Sequence, residues 1–142
     1  MKMKDTMVLI VILCASVSMF SGCNDQNGER MSKNETSKAV YSKINAAQGK
    51  AMMDDGNLYT LIDVRTEQEY KAQHIKGAVL IPHTEMLNRA ETGLPDKNAR
   101  IIIYCRSGGR SATAAHTLVD LGYTHVYDMG GIMDWPYDTV RQ

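Results

Sequence analysis

Residues 101–111 read IIIYCRSGGRS, and the order of those eleven residues decides the fold. A β-branched apolar run, Ile101 to Ile103, continues into Tyr104 and ends on a thiol, Cys105. Arg106, Ser107, the glycines Gly108 and Gly109, Arg110 and Ser111 follow at once. A short apolar run that stops at a Gly-rich turn reads as a buried strand. Beyond the turn, Ala114, Ala115, Leu118 and Leu121 fall on one side of a helix over residues 111–121, with Gly122 as its stop.

Working outward, the same alternation repeats. Residues 41–44 read as a short strand. Residues 46–54 have helical spacing, with Asn45 as N-cap and Gly56 beyond the end. YTLIDV, residues 59–64, reads as a buried strand, and residues 67–73 as a short helix. Residues 78–81 form another strand, stopped by Pro82. Residues 84–90 look helical, residues 100–104 make the central strand, and residues 125–127 make a last short one. Strands that alternate with helices predict an α/β domain. Its central sheet is mainly parallel, with helices on both faces.

The chain around this core is short. Its 142 residues suffice for one domain, and 44% hydrophobic with 23% charged residues is the balance of a globular core. Lys+Arg and Asp+Glu stand at 16 each, so no basic field argues for nucleic acid. Aromatics at 6% are too few for a base-stacking surface. The four histidines lack metal-ligand spacing, so no metal site is expected.

The N-terminus reads separately. Lys2 and Lys4 precede residues 7–20, which are almost wholly apolar. Fourteen residues are short for a membrane span but fit the core of a signal peptide. Phe20-Ser-Gly-Cys23 resembles the lipobox of bacterial lipoproteins, with Phe20 where Leu is usual. That resemblance implies a signal peptide over residues 1–22, lipidation of Cys23, and an exported protein held on a bacterial membrane, periplasmic or extracytoplasmic. Residues 23–38 are polar and suit a flexible tether, which leaves residues 39–142 for the domain. Cys14 falls in the removed segment and Cys23 at the lipid-bearing terminus. Cys105 is therefore the one thiol of the domain, and neither a disulfide nor a CxxC pair is available there.

Position gives that thiol a use. Ligands of open α/β sheets bind beyond the carboxyl ends of strands, where Cys105 stands. The turn's N–H groups and the following helix N-terminus favour negative charge there, and Arg106 and Arg110 add to the field. Such surroundings stabilise thiolate, the reactive form. Free cysteine is also a common core residue. A core cysteine, however, does not need two arginines and a glycine turn, so Cys105 reads as a nucleophile.

Four ordered motifs then resemble one family. Asp63-Val-Arg65 with Glu69-Tyr70, His74-Ile-Lys-Gly-Ala78 with Ile81-Pro82, Cys105 to Ser111, and Gly130-Gly131 with Trp135 together are similar to a single-domain rhodanese, over about residues 44–135. Gln73 stands where that family commonly has Gly. The resemblance implies a rhodanese-like fold and a cofactor-free sulfurtransferase. A sulfane sulfur would pass from a donor such as thiosulfate through a Cys105 persulfide to a cyanide or thiol acceptor. The loop from Arg106 through Ser107, Gly108, Gly109 and Arg110 to Ser111 would bind the substrate. Arg110 would contact it or brace the loop, and Arg106 would face incoming anions. Asp63 and Arg65 read as a structural ion pair and His74 as a hydrogen-bonded structural residue. His116 reads as solvated beside Asp120, Trp135 as core, and Met52 and Met53 as helix filler.

Two other classes compete. Thiolate-loop phosphatases and arsenate reductases prefer Cys-x5-Arg, which would place Arg at position 111, where this chain has Ser111. A catalytically weak rhodanese module could instead sense sulfur or bind a partner, but silent copies usually lack the cysteine. The partners implied are a small sulfur donor, its acceptor and a membrane.

Overall fold

The structure is a computed structural model that describes residues 40–142. The segments read as signal peptide, lipid-bearing Cys23 and tether lie outside these residues. Five strands form one parallel sheet: β1 (Ser42–Lys43), β2 (Thr60–Asp63), β3 (Val79–Leu80), β4 (Arg100–Cys105) and β5 (His125–Gly131), in the order β1-β5-β4-β2-β3. Helices α1 (Ala46–Asp54), α2 (Glu67–Ala72), α3 (Met86–Gly93) and α4 (Gly109–Asp120) connect them, and a 3-10 turn, Ile132–Asp134, follows β5. The expected parallel α/β architecture is what the chain adopts.

The period-2 pleat of β4 sorts the core into two layers. Ile101, Ile103 and Cys105 point to one face, with Met86 and Ala90 of α3 and Ala114, Ala115 and Leu118 of α4. Ile102 and Tyr104 point to the other, with Ile75, Met129, Met52 and Met53 of α1, and Tyr70 of α2. Residues 101–104 of β4 are fully buried. Each such isoleucine contributes about 1.5–3 kcal/mol relative to an exposed one.

Local chemistry explains the helix starts. Asn45 caps α1 and Thr66 caps α2, each in a reciprocal capping box with Gln48 and Glu69. Several boundaries differ from the sequence reading. Helix α4 begins at Gly109 rather than Ser111, because Gly108 at φ +102° turns the chain straight from the strand into the helix. Strand β5 runs on to Gly131 instead of ending at Tyr127. Asp128 and the two glycines are poor strand formers, but pairing with β4 carries them along, through a bulge at Met129. Helix α3 starts two residues later than expected and extends to Gly93.

Candidate active site

Cys105 is the last residue of β4 and lies opposite Gly131 in the parallel register. The close approach of these strands' ends depends on Gly131 having no side chain. A Cβ there would stand 2.5 Å from the Arg106 carbonyl oxygen and 2.8 Å from Ser107 Cα. The Met133 N–H also donates to that Arg106 carbonyl, at 3.3 Å, so the turn after β5 holds the start of the loop.

The loop curls around the sulfur. The Gly108 N–H donates to Cys105 Sγ at 3.0 Å, and Ser111 Oγ lies 3.6 Å from it. Burial alone would push the Cys105 thiol up, since the residue is only 1% exposed. The Ser111 hydroxyl and the amides of Ser111, Gly108 and Ser107 outweigh that penalty and hold the thiol below its ordinary value. Backbone dipoles and one hydroxyl therefore do most of the work that the sequence reading shared with the two arginines.

The arginines separate. Arg110, in the first turn of α4, makes a bidentate ion pair with Glu69 of α2, Nη1 to Oε2 at 2.7 Å and Nη2 to Oε1 at 2.8 Å. It braces the loop, and its guanidinium is engaged rather than open toward a ligand. Arg106 is exposed and makes no ion pair among the described residues. Ser111 is fully buried behind the sulfur, so it supports Cys105 rather than facing a substrate. Ser107 and Gly109 are exposed at the mouth, and Gly108 is half-buried.

Asp63 and Arg65 form a buried pair, with Nη2 to Oδ2 at 2.6 Å and Nε bonding both carboxylate oxygens. Arg65 Nη2 also donates to the Gln73 carbonyl at 2.6 Å. Gln73 sits at φ −170° and ψ 130°, an extended conformation open to any side chain, which is why glycine is not needed there. His74 Nδ1 lies 2.8 Å from the Tyr70 carbonyl and its ring stacks on Tyr70. His116 is exposed and meets the edge of Tyr41.

Beside the loop lies a cavity of about 470 Å³, lined on its polar side by Arg65, Glu69, Gln73 and Arg106 and on its apolar side by Ala72, Ile132, Met133 and Trp135. Trp135, expected in the core, is half-buried and forms the wall between this cavity and a second one of about 710 Å³. Its indole N–H donates to the Asp138 carbonyl at 3.3 Å, which holds the ring at the surface. The first cavity is the one that adjoins the sulfur's loop. Sequence reasoning missed Glu69 as a site residue. The pattern Thr66-x-x-Glu69 marks it as a helix-start residue, but its partner 41 positions away is visible only in the fold.

Residues 45–137 match the rhodanese-like domain family. The chain belongs to that family. The thiosulfate sulfurtransferase PspE of Escherichia coli is 42% identical over 73 residues, 51% of this chain and 70% of PspE. Thiosulfate sulfurtransferase 16, chloroplastic, of Arabidopsis thaliana is 32% identical over 110 residues, 68% of this chain and 88% of that protein. Among solved structures, a rhodanese with anions from E. coli superposes with a TM-score of 0.57 at 38% identity, covering 60% of this chain and 100% of the other. Relatives so named support sulfurtransferase activity in general for this rhodanese-like domain.

Proposed function

We propose that the protein moves a sulfane sulfur from a donor such as thiosulfate to a thiophilic acceptor through a persulfide on Cys105. The observation that carries the reading is the amide cradle, with the Gly108 N–H 3.0 Å from a sulfur that is depressed toward thiolate although nearly buried. A nucleophile so enclosed is reached by a single terminal atom, such as the outer sulfur of thiosulfate. The Cys105 thiolate attacks that sulfur, a new S–S bond forms, and the donor's S–S bond breaks with its electron pair leaving on sulfite. The persulfide's terminal anion then occupies the cradle, where N–H dipoles offset its charge. Cyanide or a thiolate attacks that outer sulfur, leaves as thiocyanate or a new persulfide, and returns Cys105 as thiolate.

Arg106 is the exposed cation positioned to meet an anionic donor. The oxyanion alternative fits less well, because the residue at the phosphatase arginine position is Ser111, which is fully buried and supplies no cation. The lipobox-like motif ending at Cys23 supports anchoring of this activity to a bacterial membrane.

Intact-protein mass spectrometry with sulfite measured in parallel tests the reading. Thiosulfate alone should add one sulfur and release one sulfite per chain, then stop, because Cys105 has no second thiol in the domain to discharge it. Cyanide or a thiol should restart turnover. Steady turnover without acceptor, or loading that persists in Cys105→Ser, would overturn it.

A further inference from the structure

We infer that Glu69 is a specificity-setting residue: its carboxylate masks the Arg110 charge beside Cys105, and so limits how strongly the site attracts doubly charged donors. The inference rests on the sulfurtransferase reading and assigns a role to a residue that touches neither Cys105 nor its loop backbone.

The geometry is that of a neutralised cation. Both terminal nitrogens of Arg110 are taken up by the two oxygens of one carboxylate. Arg110 stands in the first turn of α4, at the close of the loop that encloses the sulfur. The Arg110 bonds, then the Thr66 N–H and hydroxyl, outweigh burial and hold Glu69 down to about 2, so the mask is in place at every pH where the thiolate exists. The other charged side chains that line the cavity beside the loop are Arg65, which pairs with the buried Asp63, and Arg106. The resting site thus offers an anion the amide cradle and one cation, with the second cation balanced.

Substitution at Glu69 can remove the charge and keep the architecture. Oε2 of Glu69 accepts from Thr66 N at 3.1 Å and Thr66 Oγ1 at 3.0 Å, closing the capping box of α2. A glutamine carbonyl accepts the same bonds, since either Glu or Gln completes this motif. Glu69→Gln therefore leaves Arg110 near its place, with the local charge one unit more positive. Arg110→Ala exposes the bare carboxylate and makes it one unit more negative. The double variant restores the net charge of the parent.

The test uses the full chain in non-ionic detergent, with two readouts. For thiosulfate, Glu69→Gln should lower KM about five-fold, with kcat changed less than about two-fold. Arg110→Ala should raise KM by a similar factor, and the double variant should return near the parent. These differences should shrink as salt rises. The second readout is independent of sulfur transfer. The rate of Cys105 alkylation by iodoacetate relative to iodoacetamide should rise in Glu69→Gln and fall in Arg110→Ala, because only the first reagent is anionic. Both variants shifting KM in the same direction, or an alkylation ratio unchanged in Glu69→Gln, would overturn the mask. A ratio that moves as described in a chain that never turns over thiosulfate would leave the mask standing and overturn the sulfurtransferase reading instead.

Discussion

Ser111 Oγ stands 3.6 Å from Cys105 Sγ and 3.0 Å from the Gly108 carbonyl, with a single proton to serve both. While Cys105 is a thiol, its S–H can donate to the serine oxygen and the serine proton can go to Gly108. Once Cys105 ionises, the sulfur becomes a charged acceptor that competes for that proton with the Gly108 carbonyl and with the Gly130 carbonyl at 3.4 Å. The hydroxyl rotor therefore responds to the nucleophile's charge state, from a fully buried position behind the sulfur.

Removing the rotor should be visible in a titration. Ser111→Ala deletes one of the groups that hold the Cys105 thiol below its ordinary value, so ionisation moves to higher pH. The shift should be about one pH unit, the size of one hydrogen bond to a charged acceptor, about 1.4 kcal/mol. The pH profile of iodoacetamide alkylation measures it. A profile that stays put would assign the depression to the amides alone.

Gly131→Ala should damage the loop from outside it. The added Cβ meets backbone, the Arg106 carbonyl and Ser107 Cα, and neither can swing aside as a side-chain tip could. The cost should be about 1–3 kcal/mol of stability, with a larger fractional loss of turnover because the displaced residues carry the amides around the sulfur. Denaturant midpoints and kinetics on the same preparation check both parts.

The Arg110–Glu69 pair should give stability a dependence on acid. Glu69 has a folded value of about 2 against an ordinary 4.5, so its contribution is complete above the ordinary value and disappears as pH falls toward the folded one. Arg110→Ala should cost about 1 kcal/mol at neutral pH, a modest sum because both side chains are partly exposed. The gap between parent and variant should narrow below about pH 4.5 and close near pH 2. Urea melts across that window measure it.

Cys23→Ser tests the anchoring proposal. In a bacterial host the parent chain should incorporate labelled fatty acid and the variant should not, with processing at that site blocked. A parent chain that takes up no label would remove the anchor.

Much of this was legible in the residues, and the exceptions have physical causes. Residues 100–105 announce a buried strand because burial on both faces demands an uninterrupted apolar run. The end of β5 did not announce itself, because Asp128, Gly130 and Gly131 are strand-poor residues held by pairing with β4, a tertiary effect. The nucleophile was legible from chemistry at a strand end. The partner of Arg110 was not, since Glu69 lies 41 positions away on α2 and meets it only in the fold. Trp135 packs against the buried cluster of Leu61, Ile102 and Tyr104 as its reading as core implies, while the bond from its N–H to the Asp138 carbonyl at the surface was not legible.

The parallel sheet brings the end of every strand to one rim, and the rim divides its labour by atom type. The sulfur is cradled chiefly by main-chain amides and one hydroxyl, all within residues 105–111. The neighbouring cavity is lined by Arg106 of that loop and by side chains of three other segments, around Arg65, around Glu69 to Gln73, and from Ile132 to Trp135. Reactivity is thus written in the amides of one short loop and the single Ser111 hydroxyl, and selectivity in the side chains around it. Such a scaffold can be retooled for a new donor or acceptor by exchanging residues on those three segments, with its nucleophile left undisturbed.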